Sequence, residues 1–368
     1  MNKFDVIIIG GGIIGSSIAY ELAKRSKKVL LLERGRLASE ASGAAAGMLA
    51  ALVEMGLEVG PLFRLALKSR QMYPKLAHEL RALSGIDIGF VDKGMLKVPL
   101  TGAEALEFEE IIKLQGSLGH QVSWCEKAHS KEPNLGQHIS KVMEVLEDGQ
   151  VDAPSLSLAF AKSAEALGTT TKEFTQVDDL LIEDGKLVGV KTLTENFRSD
   201  QVVVAAGAWS KNLLESHGYP LKTYPVKGEC FSVLASQQLL ESTVFSHGCY
   251  IVPKKGNRLL VGATAIPHTS DKKVSFQSVQ SLMEKAKKLL PAIAETEWEK
   301  AWSGIRPQTD DGLPYLGMHP VYENLAIATG HYRNGILLSA VTGKLIADLL
   351  DGIENEDLHA FRLDRHTS

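Results

Sequence analysis

The 368-residue sequence has few cysteines and aromatic residues, and no strong excess of charge of either sign. Its 3 cysteines form no C-x-x-C pair and no zinc spacing, which excludes a disulfide scaffold and favours reduced thiols in a cytoplasm. The net charge of −4 argues against nucleic acid or an anionic membrane as a main partner. The apolar N-terminal run is too short to span a bilayer and lacks a signal-peptide cleavage site. We therefore predict a cytoplasmic protein without a membrane partner.

What is present is typical of a globular enzyme. Hydrophobic residues make up 44% of the chain and charged residues 23%, which are ordinary values for a soluble domain. The length allows one large domain or two domains that share the chain. No internal repeat or low-complexity segment interrupts it.

The first 33 residues carry the clearest motif. The predicted order is a strand at Phe4–Ile9, a loop at Gly10–Gly15, a helix at Ser16–Lys24, a strand at Lys28–Leu32, and then Glu33. In this G-x-G-x-x-G loop, Gly10 allows a tight turn, Gly12 lets the backbone approach a pyrophosphate, and Gly15 lets helix and strand pack closely. The helix N-terminus attracts phosphate, and Glu33 can accept a ribose 2′-hydroxyl. This context favours dinucleotide binding over a purely structural glycine turn.

The rest of the chain alternates strands and helices at both ends, with an antiparallel pattern in the middle. Helices are predicted at 61–84, 103–118, 154–167, 274–290 and 336–350, and strands at 94–100, 201–206, 229–234, 249–252, 258–263 and 325–329. Residues 36–50 are small, which suits either backbone lying against a ligand or a loosely packed loop. The strands at 4–9, 28–33, 201–206 and 325–329 are expected to form one sheet, whose glycine-bearing loops meet at one edge.

We therefore predict an α/β plus α+β fold, with a discontinuous Rossmann-like domain and a second, β-rich domain. The dinucleotide-binding domain is assigned residues 1–85, 150–220 and 300–368. The substrate-binding domain is assigned residues 86–149 and 221–299.

Three segments together resemble the D-amino-acid oxidase family of FAD-dependent oxidoreductases. They are Asp5–Gly15, Val204–Trp209 and Thr329–Ile336. Within the family, further strings match the group that oxidises glycine for bacterial thiamine synthesis: Ala44–Leu49, Pro225–Cys230, Cys249–Pro253, Val261–Thr264, Gly304–Pro307 and His331–Leu338. The third segment favours FAD over NAD, because a nicotinamide dehydrogenase does not need that loop.

The resemblance implies a substrate domain whose sheet covers the flavin, a homotetramer, and oxidation of glycine, sarcosine and small D-amino acids by O2. Imine or 2-oxo acid, ammonia or amine, and hydrogen peroxide are the expected products. The resemblance also implies non-covalent FAD, because Ser303–Arg306 lacks the cysteine that covalently flavinylated sarcosine oxidases carry in this segment. Alternatives that stay open are a sarcosine or D-amino-acid oxidase with a broader pocket, a dehydrogenase with another electron acceptor, and a non-catalytic flavin-binding subunit.

A small zwitterionic substrate requires a carboxylate clamp, and Arg306 is the candidate, because its planar fork binds a carboxylate bidentately. The alternative role for Arg306 is a surface ion pair. Tyr250 could add a hydroxyl hydrogen bond, or could be an ordinary strand tyrosine. The resemblance implies substrate contact for Arg333, whose alternative is a phosphate or salt-bridge role. No general base is assigned, since solvent can take the amine proton, and His331 is expected to shape the flavin loop.

The cofactor contacts follow from the glycine motif and from the resemblance. They are Gly10, Gly12, Ile13, Ile14, Gly15, Glu33, Ala41, Ser42, Ala46, Gly47, Met48, Val177, Gly207, Gly330, His331, Tyr332, Arg333, Asn334, Gly335, Ile336 and Leu337. No metal ligands are predicted. Asp310 and Asp311 are interpreted as turn residues before Gly312. If Gly248 and Ala265 line the pocket, their small size predicts a roomier pocket than in the resembled group.

Overall fold

The computed structural model describes residues 3–54, 56–57 and 59–366. The strands in these ranges are β1 (Phe4–Ile9), β2 (Val29–Leu32), β3 (Met48–Leu49), β4 (Met95–Lys97), β5 (Val122–Cys125), β6 (Val142–Val145), β7 (Gly149–Gln150), β8 (Thr170–Lys172), β9 (Val177–Glu183), β10 (Lys186–Thr192), β11 (Asn196–Val204), β12 (Thr223–Leu234), β13 (Thr243–Ser246), β14 (Cys249–Lys254), β15 (Arg258–Gly262), β16 (Ile266–Pro267), β17 (Glu297–Thr309), β18 (Tyr315–Met318) and β19 (Leu325–Thr329).

The helices connect and cover these strands. They are α1 (Ile13–Lys24), α2 (Ala41–Ala44), α3 (Pro61–Ser84), α4 (Gly102–Ser117), α5 (Ala128–Lys131), α6 (Ala153–Ala166), α7 (Ser210–Glu215), α8 (Phe276–Leu289) and α9 (Gly335–Leu350), with 3-10 turns at Gly207–Trp209, Pro291–Glu295 and Glu356–Phe361. Helix α3 ends as predicted, because Gly85 adopts a left-handed φ of 73° that a residue with a Cβ would rarely take. None of the helices in the described ranges is long and apolar enough to cross a membrane.

The first sheet has the strand order β18-β19-β11-β1-β2-β8, with the β9–β10 hairpin attached to β11. Strand β1 pairs in parallel with both β2 and β11, and β19 lies next to β11. Alternate residues of β1 point to opposite faces, so that Ile8 packs with the helices and Ile7 packs in the core on the other side. Burial on both faces explains the continuous apolar runs in these strands. The predicted four-strand arrangement is confirmed.

The second sheet runs β16-β12-β15-β14-β13-β4-β6-β5, with β17 paired along β12. One face packs against α8 through Phe231 and Leu282. The other face carries Cys230 and Tyr250 in a separate small cluster. The alternation along the strands therefore directs one set of side chains to a structural core and the other set to the site described below.

The two sheets confirm the predicted fold class, an α/β unit with a second β-rich unit. The predicted boundary at residue 300 is wrong in one respect, because it cuts β17, whose residues 297–309 pair with residues 223–234 of β12. A strand belongs with the sheet that satisfies its backbone hydrogen bonds, so these residues go with the second sheet. With that change the division into two domains stays a proposal.

Candidate active site

One cavity of about 440 Å³ is lined both by loops at the carboxyl ends of the first sheet and by strands of the second sheet. Most of the predicted cofactor contacts line it: Gly10, Gly12, Ile13, Ile14, Glu33, Ala41, Ser42, Ala46, Gly47, Met48, Val177, Gly207, His331, Tyr332, Arg333, Asn334, Gly335, Ile336 and Leu337. The predicted substrate contacts Arg306 and Tyr250 line it as well. The fold therefore brings these distant segments together.

Two predicted cofactor contacts do not line the cavity, and both have a packing role. A Cβ on Gly15 would lie 1.9 Å from the carbonyl oxygen of Gly10, so this position packs helix α1 against the loop. Gly330 has a φ of +81°, and a Cβ there would lie 2.5 Å from a methyl group of Thr309. Each of these two residues permits a close backbone approach next to the cavity, and their direct contact with the cofactor stays a prediction.

The glycine loop shapes the end of the cavity near helix α1. Gly10 has a φ of +108°, and a Cβ on it would lie 2.6 Å from the carbonyl oxygen of Ala205. Helix α1 starts after Gly12, which has no side chain to cap it, and its first turn contains no acidic residue. The Ile13 N–H donates to Ser42 Oγ at 2.9 Å. The helix N-terminus keeps its positive dipole end at the cavity.

Glu33 stands at the end of β2 as predicted, and the backbone fixes its carboxylate. Its Oε2 accepts from the Gly11 N–H at 2.7 Å and its Oε1 accepts from the Gly35 N–H at 2.8 Å. Each oxygen keeps a further lone pair for another donor. The geometry is suited to the expected ribose hydroxyl.

Further residues at this end were missed by the sequence interpretation. The guanidinium carbon of Arg34 lies 3.7 Å from the ring centroid of Trp209, and its Nη2 lies 3.2 Å from Oε1 of Glu40. All three residues line the cavity, as do Gln176 and Asp178 beside Val177. Arg34 directly follows Glu33, and Trp209 is the last residue of the segment Val204–Trp209 that resembles the family. Their positions along the chain could therefore have indicated that they lie at the cavity.

The loop before helix α9 forms another wall of the cavity. Helix α9 begins without a side-chain cap and without an acidic residue in its first turn. His331 is buried, and its Nε2 lies 3.2 Å from Oγ1 of Thr342. Burial lowers the pKa of His331 to about 3, so the ring is neutral at physiological pH. This supports a role in shaping the loop.

Arg306 lies on β17, and its guanidinium packs over the backbone of Gly228 on β12. A Cβ on Gly228 would lie 2.2 Å from its Nη2, so only glycine leaves room for it there. Arg306 Nη1 donates to the Thr264 carbonyl at 3.0 Å. Among the residues that the structure describes, no acidic oxygen lies within 4.0 Å of this guanidinium. A surface ion pair is therefore not its role.

Tyr250 is buried on β14, with its ring over Gly262 of β15. Its hydroxyl lies 3.8 Å from the Sγ of Cys230, which also lines the cavity. Burial raises the pKa of Tyr250 well above its usual value, while Arg306 and Arg333 oppose this shift. The hydroxyl stays protonated and can donate a hydrogen bond.

Arg333 forms an ion pair inside the cavity, with its Nη2 3.1 Å from Oε1 of Glu54. The carboxylate of Glu54 is the main cause that raises the pKa of Arg333. Glu54 follows a turn in which Leu52 and Val53 donate backbone hydrogen bonds to the buried Asp148. The sequence interpretation missed Glu54, because its partner lies 279 residues away.

The remaining candidates lie away from the cavity. Asp311 accepts from Arg365 Nε at 2.7 Å and from the Leu313 N–H at 3.1 Å, which confirms its role in a turn. Gly248 and Ala265 are both exposed and do not line the cavity. The expectation that they enlarge the pocket is wrong, because their positions face solvent.

Comparisons with known proteins agree with this arrangement. The family model described as DAO, FAD dependent oxidoreductase, matches residues 5–349. A glycine oxidase from Geobacillus kaustophilus is 46% identical over 99% of this chain and 98% of its own length. Its namesake crystal structure from that organism has a TM-score of 0.96 and 47% identity, and covers 100% of both chains.

A further relative combines two functions in one polypeptide. It is the bifunctional protein ThiO/ThiG of a Nostoc species, which is 35% identical over 94% of this chain. The match covers 52% of that longer protein. The similarity therefore concerns one part of the fused polypeptide.

Proposed function

We propose, from the premise that this chain belongs to the DAO family of FAD-dependent oxidoreductases, that it is an oxidase of glycine and other small amino acids. Sarcosine and small D-amino acids complete the proposed substrate range. The observation that carries the proposal is Arg306, a guanidinium without an acidic partner among the described residues, at the same cavity as the dinucleotide motif. A site with this group is suited to an amino acid carboxylate.

The cavity fits FAD, the cofactor of this family. Helices α1 and α9 both start at the cavity without a side-chain cap from their own N-cap residues, and a helix N-terminus binds anionic and electron-rich groups. Gly10, Gly12 and Glu33 would hold the adenosine diphosphate part, and residues 331–337 would contact the ring system. Bound FAD supplies a two-electron acceptor for the hydride that leaves the substrate α-carbon.

The protein residues bind and orient the substrate. Arg306 has donors left after its bond to the Thr264 carbonyl, and these would hold the carboxylate. The Tyr250 hydroxyl, kept protonated by burial, would donate a second hydrogen bond to it. Arg333 would contribute positive charge that Glu54 compensates. Fixing the carboxylate presents the α-carbon in one orientation, which contributes to the rate by proximity.

No side chain is assigned as a general base. His331 is buried, and the pKa of its imidazole is about 3, so it is a poor proton acceptor at neutral pH. Solvent would take the amine proton as the carbon–nitrogen double bond forms. Hydrolysis of the imine from glycine gives glyoxylate and ammonia, and two electrons and two protons reduce O2 to hydrogen peroxide. The imine or glyoxylate would supply the thiazole of thiamine.

Finer predictions remain proposals. They are a homotetramer, a cytoplasmic location and non-covalent FAD. Release of yellow flavin into the supernatant after acid precipitation would support non-covalent binding, and flavin retained in the pellet would contradict it.

The proposed activity is tested by mixing the FAD-loaded protein with glycine in the absence of oxygen. We expect the flavin absorbance to bleach, and admission of air to restore it with release of hydrogen peroxide. Bleaching by sarcosine or D-proline but not by glycine would move the assignment to the broader-pocket oxidases. Bleaching without reoxidation by air would indicate a dehydrogenase. A flavin that none of these amines reduces would contradict the proposal.

A further inference from the structure

Three arginines line the cavity, and two of them are paired with glutamates. Arg34 lies 3.2 Å from Glu40, and Arg333 lies 3.1 Å from Glu54. Arg306 has no acidic oxygen within 4.0 Å in the described ranges of the chain. The part of the cavity lined by Arg306, Tyr250 and Arg333, called the substrate end below, therefore contains two guanidinium groups, of which Arg333 is paired with an acid and Arg306 is not.

The guanidinium groups of Arg306 and Arg333 both interact electrostatically with the Tyr250 hydroxyl. Both lower the pKa of the Tyr250 hydroxyl against the larger opposing effect of burial. Arg333 in turn has its pKa raised first by Glu54 and then, among lesser causes, by Tyr250. The charge state of Arg333 would therefore change the electrostatic potential at a substrate held by Tyr250 and Arg306.

Glu54 lies beside Arg333, whose own side chain is 38% exposed. The side chain of Glu54 is only 16% exposed, unlike that of a typical surface glutamate. The turn before it is tied to Asp148, which accepts from the Leu52 N–H at 3.0 Å and from the Val53 N–H at 2.7 Å. Asp148 itself has no exposed surface. Asp148 therefore fixes the backbone that leads into Glu54, and the ion pair with Arg333 orients the carboxylate.

We propose that Glu54 determines the charge of the substrates that the site accepts. By neutralising Arg333, it leaves one guanidinium for one carboxylate, so that amino acids with a single carboxylate are favoured. A second anionic group on the substrate would meet the Glu54 carboxylate instead of a free Arg333 guanidinium, which disfavours amino diacids. The inference rests on the proposed oxidation of small amino acids and names the residue that restricts its substrate class.

The kinetic test compares two substrates of equal size that differ in one charge. They are N-(carboxymethyl)glycine, a diacid, and N-(carbamoylmethyl)glycine, its monoamide. In Glu54→Gln, Arg333 loses its compensating charge and becomes available to the second carboxylate. We expect the ratio of kcat/KM for diacid over monoamide to rise by at least about tenfold, which corresponds to about 1.4 kcal/mol. An unchanged ratio in an FAD-loaded variant would overturn the proposal.

Paired variants separate charge from shape. Glu54→Asp keeps the charge and should keep a ratio close to that of the parent, whereas a rise equal to that of Glu54→Gln would contradict the proposal. Arg333→Met removes the guanidinium that pairs with Glu54, so the ratio should fall. Combining Glu54→Gln with Arg333→Met removes both charges and should return the ratio toward the parent value. Glu40→Gln removes the other paired glutamate at the cavity and should leave the ratio unaltered.

A binding test does not depend on turnover. Diglycolate and methoxyacetate replace the amine by an ether oxygen and differ in one carboxylate, and neither has an amine to oxidise. Their dissociation constants are measured on the FAD-loaded protein from the flavin difference spectrum. We expect Glu54→Gln to improve binding of diglycolate over methoxyacetate by about tenfold, and no change would overturn the proposal. If Glu54→Gln shows this shift but glycine does not reduce the flavin of the parent protein, the proposed oxidase activity is refuted, while the proposed effect of Glu54 on substrate charge is supported.

If Glu54→Gln does not retain FAD, the same two ligands are measured on Arg333→Met, for which the opposite change in relative binding is expected. It should weaken diglycolate more than methoxyacetate, because Glu54 then repels the second carboxylate. Equal weakening of the two ligands would overturn the proposal.

Discussion

The two ends of the cavity are built from different kinds of groups. The dinucleotide end is formed mainly by backbone groups: Gly10, the start of helix α1 after Gly12, and the two amides that fix Glu33. At the substrate end, the side chains of Arg306, Tyr250 and Arg333 converge from two strands and a loop. A site formed by backbone groups depends on short stretches of contiguous residues. A site formed by side chains requires only that the fold bring its members together.

This difference predicts how each end responds to substitution. A single added methyl group should damage the dinucleotide end, because it blocks a backbone approach that no rotamer change can relieve. The substrate end should lose affinity in steps, as individual donors are removed, while the protein stays folded and keeps FAD.

The largest effect is expected for Gly15→Ala. The new Cβ would lie 1.9 Å from the Gly10 carbonyl oxygen, so helix α1 must move away from the loop. Such overpacking costs about 1–3 kcal/mol or more, and here it also displaces the phosphate-binding helix start. We expect a large loss of FAD content and a lower thermal midpoint, measured by flavin absorbance and by calorimetry.

Gly116→Ala is the matched control. Gly116 lies within helix α4, and a Cβ there would meet no atom within 4 Å. Alanine is the better helix former, so stability should stay equal or rise slightly. Equal FAD content in Gly15→Ala and Gly116→Ala would show that the backbone at Gly15 accommodates a Cβ, and would contradict the prediction.

Next in size is Arg306→Met at the substrate end. Charged hydrogen bonds contribute about 1.5–3 kcal/mol, so kcat/KM for glycine should fall by up to about 100-fold. FAD content should remain at the parent level, because the substitution leaves the backbone contacts of the other end intact. Steady-state kinetics and the flavin-to-protein absorbance ratio check the two parts separately.

Arg198→Met provides the comparison for charge removal. Arg198 pairs with Glu183 on the exposed β9–β11 surface, and it does not line the cavity. Its loss should leave glycine kinetics unaltered. Parent-like kinetics in Arg306→Met would contradict the carboxylate clamp.

The same contrast explains what the sequence could predict. Four strands of the first sheet were evident because burial on both faces produces runs such as Val202–Val204, and helix α3 was delimited by Gly85. Strand β17 was missed as an element, because it pairs only with β12 and mixes charged with aromatic residues along a half-exposed edge. Glu54 was missed because nothing in its local pattern differs from a surface glutamate, and only tertiary packing supplies Arg333.

An intermediate effect is expected from His331, which lies in the loop that both ends share. The pKa of its imidazole is about 3 in the folded protein and about 6.5 when unfolded. Between these pH values the unfolded state binds a proton at His331 and the folded state does not. Its contribution to stability is therefore fully present above pH 6.5 and is lost as the pH falls toward 3. By linkage, this residue alone should cost the protein about 2 kcal/mol between pH 7.5 and pH 5.

Urea unfolding of the FAD-loaded protein at these two pH values measures this cost. In His331→Gln the pH-dependent loss should be smaller by about the same amount, whatever the stability at pH 7.5. His359→Gln, at an exposed position, should leave the pH dependence as it is in the parent. An equal pH dependence in His331→Gln and the parent would show that the buried imidazole does not resist protonation.

The smallest effect, and the sharpest test of the contrast, is expected from Tyr250→Phe. The substitution removes one hydroxyl, which lies 3.8 Å from the Sγ of Cys230, and it keeps the ring that packs over Gly262. A single hydrogen bond contributes about 1 kcal/mol, so kcat/KM for glycine should fall by about five- to tenfold with FAD content unchanged. The loss should appear for every substrate with a carboxylate, because the hydroxyl is assigned to that group and not to the amine. A loss of FAD in Tyr250→Phe would mean that the two ends are coupled through the strand β14, and the separation of a backbone site from a side-chain site would fail at this residue.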